Sequence, residues 1–549
     1  MVVIWCSTYL RLVIYRHIWL FIGIMSENLL DQFKLLHILV RKLSSSEISV
    51  LKGFLTAFES RQKGFKPKGL VLTELILKHD NPKKTLDLFR KKLGKNSLEA
   101  TRVSVQRLRD KVYETFVLDI NLKREGFLTE SASDFSEIIK KRIQIGMLNV
   151  KGHRELTGQL YHSAIQQAQK VEKYADLIEM LLLYRQRFRS PAQLKEHEKI
   201  TDSIHFYQKC MAAVHRMMDL KEDLFINFRT KGLNTTDPDG SYRKAVEKAI
   251  TVLEKDFNDT ASAVIGLEYY TLTSEIAQID LKYKEANDQF KLMLDLLANN
   301  RSVGNRIRMM VANLNIAQNY IYQFKFDEAK PFIEKSKEHG TTNTSPFVAA
   351  QGQELYILLY QAKLSQASAL AGELINVSRN LKHDEFMAKY SYYAAVCAFC
   401  SKEFKAARRF LLDTDQLLKD KQGFNVAIRV FNIILDIEGD KEDLADSQTM
   451  NLRQFMKEGL KEVAISKRDE LILSILIELR KNSYDFKRTL INKKDELELL
   501  YSREQDYRWI PEAAEAICFH LWFDAKLNEH HYSSKLTEEI VHAKPLYNI

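Results

Sequence analysis

Cys397-Ala398-Phe399-Cys400 has the spacing of a redox dithiol, or of one half of a zinc site. A redox pair wants a βαβ context, and zinc wants a second pair of ligands at similar spacing. The chain offers no second pair, and the motif closes an apolar run, Tyr392 to Phe399, so we read it as core packing. His197-Glu198 opens an HExxH, but Lys199-Ile200-Thr201 fails its last position, so two imidazoles cannot share one zinc from this helix. Glu529-His530-His531 stands in a polar tail with no partner at helical spacing. P-loop, GxGxxG and GxSxG patterns are all missing, which leaves no ground for nucleotide binding or acyl transfer. The sequence therefore offers no catalytic, cofactor-binding or metal-ligating residue, and we expect a non-enzymatic protein.

A second chemistry is phosphate recognition. Between Arg61 and Arg124 stand 17 Lys or Arg against 7 Asp or Glu, which equals the +10 net charge of the whole chain. Leu86 to Leu93, Gly94, and then Ser97 to Phe116 read as helix, turn, helix, with Arg102, Arg107, Arg109 and Lys111 on the second helix. Sequence-reading helices place such side chains in the major groove. Ser104 to Arg109 resembles the recognition helix of winged-helix regulators, which implies a DNA-binding role. Asp110, Glu114 and Asp119 share that helix, so a solvated basic face or a protein-docking surface is the bland alternative.

The elements that must hold these residues are helices. Gly is 19 and Pro 8 in 549 residues, well below average usage, and 28% of residues are charged. So few breakers argue for long helices, and 45% apolar content is enough for a core. The expected fold class is all-α, with a helical N-terminal domain leading into an irregular solenoid. Five cysteines, few and odd in number, fit a reducing compartment and a cytoplasmic protein.

Taken in order, residues 1–24 are apolar but interrupted by Arg11, Arg16 and His17, too broken for the roughly 20 apolar residues of a spanning helix. Met25 begins an ordinary soluble start, so 1–24 reads as a non-native extension, with a weak anchor or a packed helix as alternatives. A basic helical domain follows over 25–130, with Ser44 and Glu47 as a capping box. A long-helix region spans 131–231, where Ser190-Pro191 starts a helix that meets no Gly or Pro before Arg229. A turn-rich linker at 232–240 precedes a repeat array over 241–430. Residues 431–549 continue or cap it, with a last helix from Glu512 to Leu527 and a frayed tail beyond Asn528.

In the array, bulky residues recur at Tyr283, Phe326, Leu364 and Phe404, at intervals of 43, 38 and 40 residues. An Ala follows three later at Ala286, Ala329, Ala367 and Ala407. The clearest unit is Leu314 to Ser336, two helical stripes around a hinge at 323–326, with Asp327 as N-cap of the second. Ala317, Tyr320, Phe326 and Ala329 of this unit resemble the tetratricopeptide (TPR) repeat, whose usual period is 34. The resemblance extends over 265–415, and the arrangement also looks like large, uncharacterised bacterial TPR-like proteins. It implies a curved surface holding a protein or peptide partner, with Gln318 and Tyr322 pointing into the groove. Where chaperone-binding members carry carboxylate-clamping residues, this chain has Leu314 and Gln318, so that ligand is not implied. The expected function is a protein–protein interaction scaffold or adaptor. The alternative is a transcriptional regulator whose basic domain binds nucleic acid and whose repeats sense a peptide.

Overall fold

The computed structural model describes residues 29–543, apart from 44, 60–65, 93–97, 119–129, 228–239, 341–343, 418–422, 460–465, 505 and 512–513. The 1–24 extension, the Ser44 cap and most of the 232–240 linker lie outside the described residues. What is described is helical, without a strand. The chain divides into two compact units, at Gln167 and Ala168.

The N-terminal unit is built from α1 (Leu29–Arg41), α2 (Ser45–Glu59), α3 (Lys68–Lys78), α4 (Pro82–Lys92), α5 (Leu98–Leu118) and α6 (Glu130–Val150), with α7 (Gly158–Lys170) crossing into the second unit. Leu29, Phe33, Leu36 and Val40 fall at i, i+4, i+7 and i+11, and all four are buried. They meet Leu72 and Ile76 of α3, Phe89 of α4, and Val105, Leu108 and Val112 of α5 in one core. His37 is buried with them, its Nε2 2.9 Å from the carbonyl of His79.

The second unit runs through α8 (Tyr174–Arg185), α9 (Leu194–Asn227), α10 (Ser241–Thr260), α11 (Ala263–Ile279), α12 (Tyr283–Asn299), α13 (Arg306–Tyr322), α14 (Phe326–His339), α15 (Ser345–Tyr360), α16 (Leu364–Asn380), α17 (Asp384–Cys400) and α18 (Phe404–Leu411). It continues through α19 (Gly423–Glu438), α20 (Glu442–Gln454), α21 (Lys467–Lys481), α22 (Phe486–Leu499), α23 (Phe519–Leu527) and α24 (Glu538–His542). As the sequence suggests, Ser190-Pro191 opens a short 3₁₀ turn that leads into α9, uninterrupted to Asn227.

One turn recurs between the helices of a pair. Leu281, Phe324, Ala362, Lys402 and Asp440 all have φ between +52° and +64°, at intervals of 43, 38, 40 and 38 residues. The residue after each donates its backbone N–H to the carbonyl five residues back. These bonds are Lys282 to Ala277 (2.8 Å), Lys325 to Tyr320 (2.9 Å), Lys363 to Leu358 (2.9 Å), Glu403 to Ala398 (2.8 Å) and Lys441 to Asp436 (2.9 Å). This left-handed turn satisfies a helix-end carbonyl and reverses the chain. The next helix starts two residues after the left-handed residue, and five residues after it Ala286, Ala329, Ala367, Ala407 and Ala445 are each fully buried. The array thus extends one unit beyond the four legible in sequence. A related reversal, with Ser483 and Tyr484 at positive φ and Thr489 buried, joins α21 to α22.

Two local expectations are corrected. Asp327 is not an N-cap: α14 begins at Phe326 after Lys325, whose side chain makes no cap bond, and Asp327 pairs with Lys330 at 2.6 Å. The backbone turn already fixes the helix entry, so a side-chain cap is not called for. Glu512 to Leu527 is not one helix, since α23 starts only at Phe519. Nor is the tail frayed, because Tyr532, Ser534, Leu536 and Val541 are buried.

The turn and the buried alanines make a paired prediction. Ala367→Leu inserts three heavy atoms into a close helix crossing and lowers stability by about 1–3 kcal/mol. Lys402→Gly relieves the left-handed backbone at an exposed site and raises stability by about 1 kcal/mol. Urea unfolding followed by far-ultraviolet circular dichroism reads both, and a raised midpoint for Ala367→Leu would contradict the close crossing.

Candidate functional site

The first helices of successive pairs, α13, α15 and α17, are buried almost all round. Ala312 to Asn319 are buried without a break on α13, and Tyr390 to Cys400 on α17. Polar side chains in this interior are bonded between helices. Asn319 Nδ2 donates to Asn287 Oδ1 (2.8 Å), Gln278 Nε2 donates to Asn319 Oδ1 (2.7 Å), and Gln353 Nε2 donates to the Leu314 carbonyl (3.0 Å). Gln318 belongs to this interior, at 3% exposure. Tyr322 stands at the C-terminal end of α13, half-buried, its ring 5.5 Å from that of Tyr283. Of the two, Tyr322 alone offers surface.

That end of the array is where the C-terminal segment lies. Trp509 sits 6.1 Å from Phe324 and 5.7 Å from Tyr360, ring centre to ring centre. Tyr392 on α17 donates its hydroxyl to the Ala514 carbonyl (2.8 Å). Beyond α23 the chain turns at Glu529, with φ +58°, and runs without helix to Thr537. Along this run Tyr532, Ser534 and Leu536 are buried while Ser533, Lys535 and Thr537 are exposed. Leu536 donates its N–H to the carbonyl of Tyr360 (3.0 Å), and the His531 ring nitrogen lies 3.1 Å from the carbonyl of Cys400.

What anchors this segment is a buried charge. Arg468, near the start of α21, meets Glu515 through two bonds, Nε to Oε2 (2.6 Å) and Nη2 to Oε1 (2.9 Å). Its Nη1 donates to the carbonyls of Leu500 (2.9 Å) and Tyr507 (2.7 Å). Glu515 Oε1 also receives the N–H of Phe519 (2.9 Å), at the head of α23. Arg468 Nη2 is 3.0 Å from His520 Nδ1, while His520 Nε2 lies 3.0 Å from the Val541 carbonyl. Because arginine has only donors, Nδ1 accepts and the ring is the neutral Nε2–H form. Cys518 Sγ is 3.4 Å from the same ring, which superficially recreates a Cys–His nucleophile. Burial pushes the thiol well up and the imidazole well down, so no thiolate–imidazolium pair forms there. Sequence reading missed this centre because its members are 47 and 52 residues from Arg468, with no linear motif.

The other candidate residues are placed as follows. Cys397 and Cys400 are buried in α17, and burial pushes the Cys397 thiol up to about 12 and raises Cys400 as well. Neither is a thiolate at neutral pH, the form needed for metal or redox work. Among the described residues no group of three His, Cys, Asp or Glu could hold a metal ion. On α5, the core stripe is Thr101, Val105, Leu108 and Val112. Arg102 and Arg109 border it on one side and Arg107 and Lys111 on the other, so the four cations share no single face. Arg102 pairs with Glu99 (3.7 Å), Arg109 nears Asp110 (4.0 Å), Lys111 lies over the Phe54 ring (4.8 Å), and Arg107 is exposed. A denser cluster is on α4, where Lys83, Lys84, Arg90, Lys91 and Lys92 are exposed. Among the described residues none of these five forms an ion pair, whereas Lys66 pairs with Glu74 (2.8 Å) and Arg41 with Asp80 (2.5 Å).

No protein-family model matches the chain, and a search of the curated proteins finds no relative.

Next to Arg468, burial and the Glu515 charge raise the Asp469 carboxyl from 3.8 to about 6, against the pull of Arg468. A carboxyl with a raised folded pKa binds more protons folded than unfolded across that interval, so stability falls as pH climbs from about 4 to 6. Asp469→Asn removes this half-buried charge. It should stabilise the fold above pH 6 and give no gain below pH 4, as read from unfolding midpoints across pH. A gain independent of pH would refute the assignment.

Proposed function

We propose that the protein is a non-enzymatic interaction scaffold or adaptor, built on TPR-like helical repeats, that holds a protein or peptide partner. The observation that carries this reading is the recurring left-handed turn followed by a buried small residue, five times over in the second unit. Stacked helix pairs of this kind bury a continuous core and leave one long surface for recognition. The interior residues, by contrast, are closed and bonded to one another, which suits a support better than a reaction centre. The reading also places the protein in the cytoplasm, with support from the free thiols of Cys210, Cys397, Cys400 and Cys518. No described helix is long and apolar enough to cross a membrane.

A second reading, a transcriptional regulator that binds DNA through its basic N-terminal unit, draws on the unpaired cations of α4. Phosphate contacts made by these side chains give binding that falls steeply with salt.

Two measurements decide between these readings. Immobilised full-length protein is exposed to native-cell extract, as wild type and as Tyr322→Ala. The scaffold reading expects a retained protein in the wild type and a loss of about tenfold in the variant. Equal retention by both would remove the Tyr322 surface from the proposal. A random duplex titrated with salt tests the second reading, and no binding at about 50 mM salt would end it.

A further inference from the structure

The run 529–537 has the form of a bound peptide. Its side chains alternate, Tyr532 (3% exposed), Ser534 (4%) and Leu536 (1%) inward, with Ser533, Lys535 and Thr537 outward. That is the period of two that an extended chain shows on a surface. It is held by groups that recur along the array. Tyr360 and Cys400 are the last residues of α15 and α17, and their carbonyls belong to the helix-end set that lacks intrahelical donors. Leu536 N–H meets the first and the His531 ring the second. Tyr532 completes the footing, with its ring 6.1 Å from Phe399 and its hydroxyl accepting the Cys518 N–H (3.1 Å).

We propose that the C-terminal ends of α15 and α17 form a binding site for an extended peptide, and that residues 529–537 occupy it in cis. The ligand class is set by the imprint: an aromatic residue, a small hydroxyl residue two further on, and Leu two beyond that, as in Tyr532-Ser533-Ser534-Lys535-Leu536. Two features mark the occupant as replaceable. The Ser534 hydroxyl is buried and faces the Cys400 sulfur, a weak acceptor, so the cis segment leaves a polar group poorly satisfied. The segment also enters through a strained left-handed Glu529. The ends stay fixed, by α23 before it and by Val541 and the Glu538–Arg503 pair (3.4 Å) after it. The run can therefore leave as a loop while the rest remains docked. Tethering supplies an effective concentration of order millimolar, so a free peptide is excluded until it outbids that value or the cis segment is weakened.

This inference rests on the scaffold reading and names its ligand class and its regulation. The probe is a labelled synthetic peptide with the sequence of residues 529–537, titrated into the full-length chain by fluorescence anisotropy. Wild type should bind it weakly. Leu536→Ala in the protein frees the site and should tighten binding by about tenfold, whereas a peptide carrying Asp at its Leu position should not bind either protein. Equal affinity for wild type and a variant with an unchanged circular dichroism spectrum would overturn the proposal. Should the variant fail to fold, amide hydrogen exchange on the wild type decides. Excess peptide should deprotect the Leu536 amide, and a protected amide at saturating peptide would overturn the proposal. If the peptide fails while Tyr322-dependent capture persists, the scaffold reading stands and only this inference falls.

Discussion

The constraint on which the second unit depends is the helix end. A helix leaves its last carbonyls without donors, and a chain that reverses within three residues has little room to supply them. Here the donor is the N–H immediately after a left-handed residue, bonded five residues back at 2.8–2.9 Å within five helix pairs, and again at Lys382 between α16 and α17. That bond sets the direction of exit. In these five turns it places the same next position against the preceding helix, and a small side chain stands there each time, Ala286, Ala329, Ala367, Ala407 and Ala445. Spacing between the helices, the buried interior of α13, α15 and α17, and the row of helix ends facing the C-terminal segment all follow.

This explains what the sequence made legible. The alanines and the bulky residues three before them are visible as a pattern, and so is the all-α class. The left-handed residues are not, because Leu281, Phe324, Ala362, Lys402 and Asp440 share no residue type and none is glycine. The turn is imposed by the packing on both sides of it, at a local backbone cost of about 1–2 kcal/mol each. The fifth unit was hidden because Glu442 stands where the others have Tyr, Phe or Leu. The likeness to the TPR repeat places Gln318 in the groove, while most of α13 is enclosed by its neighbours. In the basic unit the charge was legible but its face was not, since the spacing of Arg102, Arg107, Arg109 and Lys111 straddles the core stripe.

The C-terminal segment shows a different limit. Glu512 to Leu527 has helical composition, yet Glu515 is held by Arg468, 47 residues earlier, and at the same time receives the N–H of Phe519. A carboxylate committed to both tasks sits ahead of α23 rather than inside it. Burying the guanidinium–carboxylate pair offers little net stability, but removing one partner strands a charge, at roughly 3–5 kcal/mol. Arg468 therefore acts less as glue than as a register pin, because its Nη1 also gathers the carbonyls of Leu500 and Tyr507. Local propensity cannot forecast a helix start set by so remote a charge.

The same helix-end constraint has a consequence at the outer side of the turns. The turn bonds at the ends of α15 and α17 go to earlier carbonyls, and those of Tyr360 and Cys400 are met from outside, by the Leu536 N–H and the His531 ring. A helix could not reach two of them in succession, because its own N–H groups are spent internally. An extended chain keeps its N–H groups free, and here it meets one carbonyl with the Leu536 N–H and the other with the His531 ring. In the proposed site the helix ends thus favour an extended ligand, and Tyr532, Ser534 and Leu536 are the inward side chains of the one supplied from within the chain.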